Sequence, residues 1–450
     1  MGYRKFFDFS TFSCAQENAT NDSKASRALE TTLKCAYAQK VSSFNQIARL
    51  ARLLVSTGFG IIITAASWTA LAQSVSSSET STDNPLKVFT VLVDSSVTSD
   101  SNLFRRSEAL AQSDTITTGK LGFRFDKPYG QQHFQIEVAK TLTKYEKFSY
   151  LDFDAINYNG AWLWHLGPRI SGKLSASRSE SLAPFEDTLG TQRNVRISQN
   201  QAFDLDGQIS GGWHLLLGKA QNDQKSEQSN VLNRAPDFRS TSANAGVKYQ
   251  TKAGNTITAR WQTTDGEYIN NPIGALNTDY TENLSDIEFA WKISGNSTIN
   301  ARLGWLERDN ADITRRSFSG PSSSLNYSWT PAGKLGLTLT AARKASPLQV
   351  IGASFKEDSS IAISPTWRTS DKTNTYMTYS YQKSEDQASG APLLTPLRED
   401  VTQTLTLGMN WSAMQKLTIN ASVQQLQRTS NVVFADYDGT IARISASLAF

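Results

Sequence analysis

Apolar and polar residues alternate with a period of two along most of this chain. In TLTLGMNW (404–411) every second residue from Leu405 to Trp411 is apolar, and Thr, Gly and Asn stand between them. The stretches DIEFAWKI (286–293) and KLTINASVQ (416–424) repeat the pattern. Alternation of this kind predicts β-strands with one apolar and one polar face.

The alternating segments number 18, with 16 as the alternative count because the first segment has the weakest pattern. The predicted strands are 86–97, 114–126, 132–146, 152–166, 169–181, 196–210, 212–222, 238–251, 255–267, 284–294, 297–308, 318–330, 333–345, 356–369, 372–385, 400–412, 415–428 and 438–450.

The connections between these segments alternate in length. Short turns such as TKAGN (251–255) and SGNS (294–297) alternate with long polar stretches such as DGEYINNPIGALNTDYTEN (265–283) and SEDQASGAPLLTPLRED (384–400). Outer-membrane barrels have short periplasmic turns and longer external loops, whereas a soluble β-sandwich gives no reason for this alternation. We therefore predict an all-β fold: a transmembrane up-and-down antiparallel β-barrel of the bacterial outer membrane.

The last segment continues to the final residue, Phe450. Its apolar positions run from Ile444 to Phe450 on one face. A closing strand must pair with the first strand, so we expect this end to be ordered, and the terminal aromatic resembles the signal that outer-membrane assembly machinery reads. Nine of the ten Trp lie after residue 72, several within a few residues of a short turn. This placement predicts an aromatic girdle at the membrane interface.

The first 72 residues differ from the rest. The string NQIARLARLLVSTGFGIIITAASWTALAQS has a basic start, an apolar centre and small residues before Gln73. This layout predicts a secretory signal cleaved near Ala72 and Gln73, with a transmembrane anchor as the alternative. Because the polar residues 1–40 precede a complete signal, we expect a later translation start. Residues 73–450 are then the exported barrel.

Composition removes several classes of protein. The chain carries 45 Lys and Arg against 41 Asp and Glu, and the excess belongs to residues 1–72, which hold eight basic and four acidic residues. The remaining 37 of each sign give no support to nucleic-acid binding. Both cysteines, Cys14 and Cys35, lie in the same leader, so no disulfide framework or thiol nucleophile is expected in the barrel.

If the apolar strand faces meet lipid, the opposite faces line the lumen. Parity places nine basic and five acidic residues there, which predicts a polar, mildly cationic channel, since rings of charged side chains bias what a pore passes. The alternative is that these charges pair with one another and fill the lumen. The predicted lumen-lining residues are Lys120, Arg124, Lys173, Asp206, Lys248, Arg260, Asp286, Glu288, Lys292, Arg302, Arg368 and Arg443, with Glu137 and Asp204 completing the charged set.

Residues for catalysis or metal binding are few. The three histidines, His133, His165 and His214, lie on different segments without the spacing of metal ligands. The chain has no Gly-x-Ser-x-Gly elbow and no glycine loop of the phosphate-binding kind. We therefore predict no catalytic, metal or cofactor site and no enzymatic activity.

Five strings, taken in order, carry a resemblance to a known family. They are DFDAINYNGAWLWHLGPRISGKLSASRSESLAPFED, NQAFDLDGQISGGWHLLLGK, DYTENLSDIEFAWKISGNSTINARLGWLERD, LNYSWTPAGKLGLTLTAAR and DYDGTIARISASLAF. Residues 86–450 resemble the EpsL-type outer-membrane β-barrel proteins, which are encoded with exosortase-associated exopolysaccharide biosynthesis genes. The resemblance implies export of an extracellular polysaccharide, and it carries over no catalytic residues.

The sequence therefore predicts an outer-membrane pore that acts as a passive conduit for an exopolysaccharide chain. Expected partners are the outer-membrane lipid bilayer, the assembly machinery and periplasmic components of an export system. The external loops 265–283 and 384–400 are predicted gates. Two alternatives stay open: a general or anion-selective porin for small solutes, and a non-transporting structural or adhesive barrel.

Overall fold

Eighteen antiparallel strands make up nearly all of the described chain. The structure, a computed structural model, describes residues 88–185, 191–227, 237–269, 279–310, 317–347, 355–387 and 397–450. Two 3₁₀ turns, Glu108–Leu110 and Ser149–Leu151, are the helical elements in these ranges. No helix in them is long and apolar enough to cross a membrane. The strands are β1 (Phe89–Asp100), β2 (Asp114–Tyr129), β3 (Gln132–Tyr145), β4 (Phe153–Leu166), β5 (Ile170–Leu182), β6 (Val195–Ser210), β7 (Trp213–Ser226), β8 (Asp237–Gln250), β9 (Thr256–Ile269), β10 (Tyr280–Ser294), β11 (Ser297–Asn310), β12 (Phe318–Ala332), β13 (Leu335–Pro347), β14 (Phe355–Ser370), β15 (Thr373–Gln387), β16 (Glu399–Met414), β17 (Leu417–Ser430) and β18 (Tyr437–Ala449).

The strands form one closed ring. Each strand pairs with its neighbours in sequence, and β1 pairs with both β2 and β18. The register of the closing pair runs from Leu92 opposite Ala449 to Asp100 opposite Ile441. Closure leaves no strand edge without a partner, which is the condition for a sheet within a bilayer. The predicted fold class and the count of 18 strands are confirmed, and the alternative count of 16 is wrong.

The connections alternate between short and long around the ring. At one end of the barrel they are as short as residues 211–212, which join β6 to β7. Gly212 has φ +96°, and a Cβ there would lie 2.4 Å from the carbonyl oxygen of Gln250, so this tight turn requires glycine. At the other end they are longer, as in residues 101–113 between β1 and β2. The short-turn end is the periplasmic end, and the long connections are extracellular.

The two faces of the barrel wall differ in chemistry. On the outer face of β16, the side chains of Leu407, Met409 and Trp411 are 46%, 38% and 42% exposed. Polar residues of the opposite face are buried instead, as Thr258 and Asp286 are. An exposed apolar band around a closed barrel with a polar interior is the arrangement that a lipid bilayer stabilises. The protein is therefore an outer-membrane barrel.

Aromatic residues collect at the short-turn end. The exposed side chains of Trp213, Trp329, Trp367 and Trp411 all lie at a strand end or within three residues of one. Phe450 continues the pairing of β18 with β1, because its N–H donates to the Val91 carbonyl at 3.0 Å and its carbonyl accepts from Val91 at 3.2 Å. The last residue is therefore held in the sheet, and its role as an assembly signal stays a prediction.

Several strands extend further toward the extracellular end than the alternation predicted. Strand β9 reaches Ile269 and β10 begins at Tyr280, so both enter the predicted loop 265–283, and β15 and β16 enter 384–400 in the same way. Beyond the bilayer both faces of a strand meet water, so apolar alternation is no longer required there. Residues 270–278 and 388–396 of the two predicted gates, and the predicted leader 1–72, lie outside the described residues.

Candidate functional site

The polar residues of the inner face form the candidate site. Along each strand they alternate with exposed apolar side chains: Lys120 precedes Leu121, which is 52% exposed, and Arg443 precedes Ile444, which is 57% exposed. The same alternation places all of the predicted lumen-lining residues on the face opposite to the apolar band. That these residues line a conducting path stays a prediction.

Four charged residues on β9, β10 and β11 form one ion-pair network. The Arg260 guanidinium lies 3.1 Å from the Glu288 carboxylate and 3.4 Å from that of Asp286. Arg302 lies 2.8 Å from Glu288 and 3.7 Å from Asp286, whose side chain has no exposed surface. Register explains the network, because Asp286 is opposite Arg260 and Glu288 is opposite Arg302. Two positive and two negative charges cancel, and we call these four residues the paired wall.

A second network joins β1, β2 and β3. The Lys120 ammonium lies 3.0 Å from Glu137 and 3.3 Å from Asp94, and the Arg124 guanidinium lies 2.9 Å from Glu137. Asp94 and Lys120 are opposite each other in register, as are Arg124 and Glu137. Asp94 was absent from the predicted lining because β1 has the weakest alternation of all strands.

A third network lies on β6, β7 and β8. Asp206 forms an ion pair with Lys248, and its carboxylate lies 2.6 Å from Nδ1 of His214. On β2 and β3, Asp126 lies 2.5 Å from Nε2 of His133. Two of the three histidines thus contact carboxylates of the inner face, which their positions in sequence did not indicate.

Four of the predicted cations have no ion pair among the described residues. One of them, Lys173, has the acidic Asp204 opposite it in register. The other three have neutral residues opposite them: Thr298 faces Lys292, Asn374 faces Arg368, and Thr98 and Ser422 face Arg443. Nine of the fourteen predicted inner-face charges are therefore paired, and Lys292, Arg368 and Arg443 remain as positive charges without an ion pair in the described ranges.

The segment 101–113 folds over the inner face at the extracellular mouth. Its Leu103 and Phe104 are 6% and 2% exposed. They pack against Ile116 and Tyr145, which are inner-face positions opposite each other on β2 and β3. The complete buried apolar cluster, here the mouth cluster, comprises Leu103, Phe104, Ile116, Tyr145, Leu151 and Phe185.

Polar contacts hold the same segment against β1 and β18. Arg105 forms an ion pair with Asp100 at 2.8 Å. The fully buried Asn102 donates from its side-chain amide to the Asp438 carbonyl at 2.9 Å. A Cβ on Gly439 would lie 3.6 Å from Asn102, so the segment rests directly on this strand. It therefore lines the mouth from β18 across β1 to β3.

Hydrophobic periodicity does not predict the mouth cluster. A signal was present, because SNLFRR (101–106) and KFSYL (147–151) place large apolar residues inside polar connections, where solvent gives no reason for them. Asp114 fixes the second connection, since its carboxylate accepts from the backbone N–H groups of Lys147 at 2.9 Å and Phe148 at 3.2 Å. Contacts between two loops have no periodicity, which is why pattern reading missed them.

No protein-family model and no curated protein matches this chain. Solved outer-membrane barrels of Pseudomonas aeruginosa are similar to it. The outer membrane protein OpdK is 11% identical with a TM-score of 0.46, over 80% of this chain and 99% of that one. OccK2 (OpdF) is 11% identical with a TM-score of 0.49, over 80% and 98%. The siderophore receptor PirA is 11% identical with a TM-score of 0.43, over 82% and 81%.

At these identities the likeness is one of barrel architecture and extends to no individual residue. The chain is an outer-membrane β-barrel, and its resemblance to the EpsL-type proteins stays a prediction about family.

Proposed function

We propose that this protein is a passive outer-membrane pore for small polar solutes, with a preference for anions. The observation that carries the proposal is the inner-face position of Lys292, Arg368 and Arg443 opposite neutral residues. Barrels of 16–18 strands leave an aqueous channel. Uncompensated positive charge along such a channel raises the local concentration of anions and repels cations.

The mouth cluster supports small solutes over a polymer. Segment 101–113 covers the inner face from β18 to β3 and is held there by Phe104 and by the Asp100–Arg105 ion pair. An exported polysaccharide occupies the whole length of the lumen at once, so an anchored segment at the mouth obstructs it continuously. A small solute needs clearance for one molecule only. This favours the porin alternative over the export function that the sequence resemblance implies.

Ion selectivity in planar lipid bilayers tests the proposal. The full-length protein, purified from outer membranes, is inserted under a KCl gradient and the reversal potential is measured. We expect open channels that are several-fold more permeable to chloride than to potassium, because the uncompensated inner-face charges are positive. Addition of the host's exopolysaccharide at the extracellular side should leave the conductance unchanged.

Three results would contradict the proposal, each in favour of a different function. Cation preference would show that the inner-face charge is dominated by carboxylates. Conductance that is blocked by the exopolysaccharide, and not by its monosaccharides, would support polysaccharide export instead. Bilayers that stay insulating after verified insertion would indicate a structural or adhesive barrel.

A further inference from the structure

Arg443 and Thr98 face each other where the last strand pairs with the first. They are directly opposite in the β1–β18 register, and Thr98 is 8% exposed. The Nε atom of Arg443 and the Oγ1 atom of Thr98 are both buried, and neither has a hydrogen-bond partner among the described residues. Buried polar atoms are nearly always hydrogen-bonded in proteins. Arg260 Nε and Asp286 Oδ2 of the paired wall are buried without a partner in the same way. A solute in the lumen therefore meets Arg443 at the terminal nitrogens of its guanidinium and not at Nε.

A pocket of about 240 Å³ lies on the inner wall beside Arg443, and Thr98 is not part of its lining. Six hydroxyl-bearing residues contribute to the lining: Ser95, Ser96, Thr118, Thr141, Ser445 and Ser447. The remaining lining residues are also polar and include Arg443. Hydroxyl groups both donate and accept hydrogen bonds, so a wall of them matches a ligand that itself carries several hydroxyls.

The charge of the pocket differs between its two ends. Lys120 lies 3.3 Å from Asp94 and 3.0 Å from Glu137, so its positive charge is compensated. Arg443 has no ion pair within the described ranges, and it supplies the uncompensated charge. Asp94 is opposite Ser447, four residues along β1 from Thr98, a separation of about 13 Å at the rise of a strand. The pocket thus has a positive end at Arg443 and a neutral, hydroxyl-rich body.

We propose that this pocket binds a small polyhydroxylated carboxylate, in the manner of a sugar acid. The carboxylate accepts hydrogen bonds from the terminal nitrogens of the Arg443 guanidinium. A guanidinium and a carboxylate form paired, charge-assisted hydrogen bonds. The hydroxyl groups of the ligand lie along Ser96 and Ser445, which are opposite each other in register. This inference rests on the proposed pore function, because the solute reaches the pocket through the lumen, and it names the class of solute.

Calorimetric titration of the full-length protein in lipid nanodiscs measures ligand affinity for the pocket independently of channel conductance. The probes are gluconate, sorbitol, which has the hydroxyls without the carboxylate, and acetate, which has the carboxylate alone. We expect gluconate to bind more tightly than either. Arg443→Gln should weaken gluconate at least about tenfold, the size expected for a lost hydrogen bond to a charged group. Ser445→Ala should weaken it several-fold, because Ser445 lines the pocket. The affinity of Arg443→Lys should lie between those of the unmodified protein and Arg443→Gln.

Lys173→Gln is the matched control, because it removes one inner-face positive charge on β5, outside the pocket. It should leave gluconate affinity unchanged. Equal losses in Lys173→Gln and Arg443→Gln, or equal affinity for gluconate and acetate, would overturn the pocket in favour of general attraction to a positive lumen. If Arg443→Gln fails to insert, Ser445→Ala and Arg443→Lys decide the same question.

Reversal potentials on the same preparation separate this inference from the proposed function. An anion-selective channel whose gluconate binding survives Arg443→Gln would overturn the pocket and leave the pore intact. Gluconate binding that depends on Arg443, in a barrel that does not conduct, would support the pocket and overturn the pore.

Discussion

The paired wall on β9–β11 and the seam between β18 and β1 share the alternation of polar and apolar residues but differ in charge. The charges of the paired wall cancel, whereas Arg443 at the seam has no ion pair in the part of the chain that the structure describes. In the ring of 18, β10 is nine strands from β1 in either direction, so the two regions face each other across the lumen. Arg260 and Arg443 both alternate with exposed apolar residues. Arg260 has two carboxylates within 3.4 Å, whereas Arg443 has hydroxyls opposite it and no ion pair among the described residues.

The difference lies in register. A charge on the inner face is compensated when the residue opposite it on a neighbouring strand carries the other sign, as Asp286 does for Arg260. Where that residue is Thr98, the charge remains available to the lumen. We therefore expect changes in the paired wall to alter stability and changes at the seam to alter ion selectivity.

The largest effect is expected from breaking the paired wall. The double variant Asp286→Asn with Glu288→Gln leaves Arg260 and Arg302 without compensation, and Asp286 is fully buried. We expect the free energy of unfolding to fall by roughly 2–3 kcal/mol, below the full cost of breaking a buried pair because Arg302 and Glu288 are partly exposed. Urea titration of the protein in lipid vesicles measures it.

The control for that variant is Asp204→Asn, which removes an acid without an ion pair in the described part of the chain. Its effect on unfolding should stay within about 0.5 kcal/mol. Equal destabilisation by the two changes would mean that the network contributes nothing beyond general inner-face charge.

A smaller effect on stability is expected from replacing a paired arginine and not from replacing an unpaired one, although both substitutions remove the same charge. Arg368→Gln and Arg302→Gln each remove one positive charge, so both should move the reversal potential toward cations. Only Arg302→Gln leaves two carboxylates, Asp286 and Glu288, to share the single cation Arg260, so only this variant should also lower the free energy of unfolding, by about 1 kcal/mol. Loss of stability in Arg368→Gln as well would show that it has a structural partner.

The smallest effect is expected from salt. Raising the ionic strength from 0.1 M to 1 M shortens the screening length from about 10 Å to about 3 Å. The anion preference set by the unpaired charges should shrink accordingly in bilayer recordings. The unfolding free energy of the paired wall should change little, since Asp286 is buried away from mobile ions. Selectivity that is independent of salt would point to size exclusion instead.

The sequence predicts the strands, the closure of the barrel and the face on which each side chain lies, because all three follow from a period of two and from the alternation of short and long connections. The sequence does not predict which charges form ion pairs. Arg124, Arg260 and Arg302 looked the same as Arg443 by parity, and only the cross-strand register shows that the first three meet carboxylates. Register depends on turn lengths and bulges, such as the irregularity between Lys292 and Ser294, which a single sequence does not specify to one residue.

The seam has a kinetic consequence. Leu92 pairs with Ala449, 357 positions later in the chain (449 − 92). Bringing such distant segments together carries a loop-closure entropy cost of about 5 kcal/mol, which no local contact offsets. Until Phe450 has been synthesised and delivered, the chain has two open sheet edges that can pair with any other strand. We therefore expect this late, long-range contact to limit assembly, and loss of the final strand to abolish the barrel rather than shorten it.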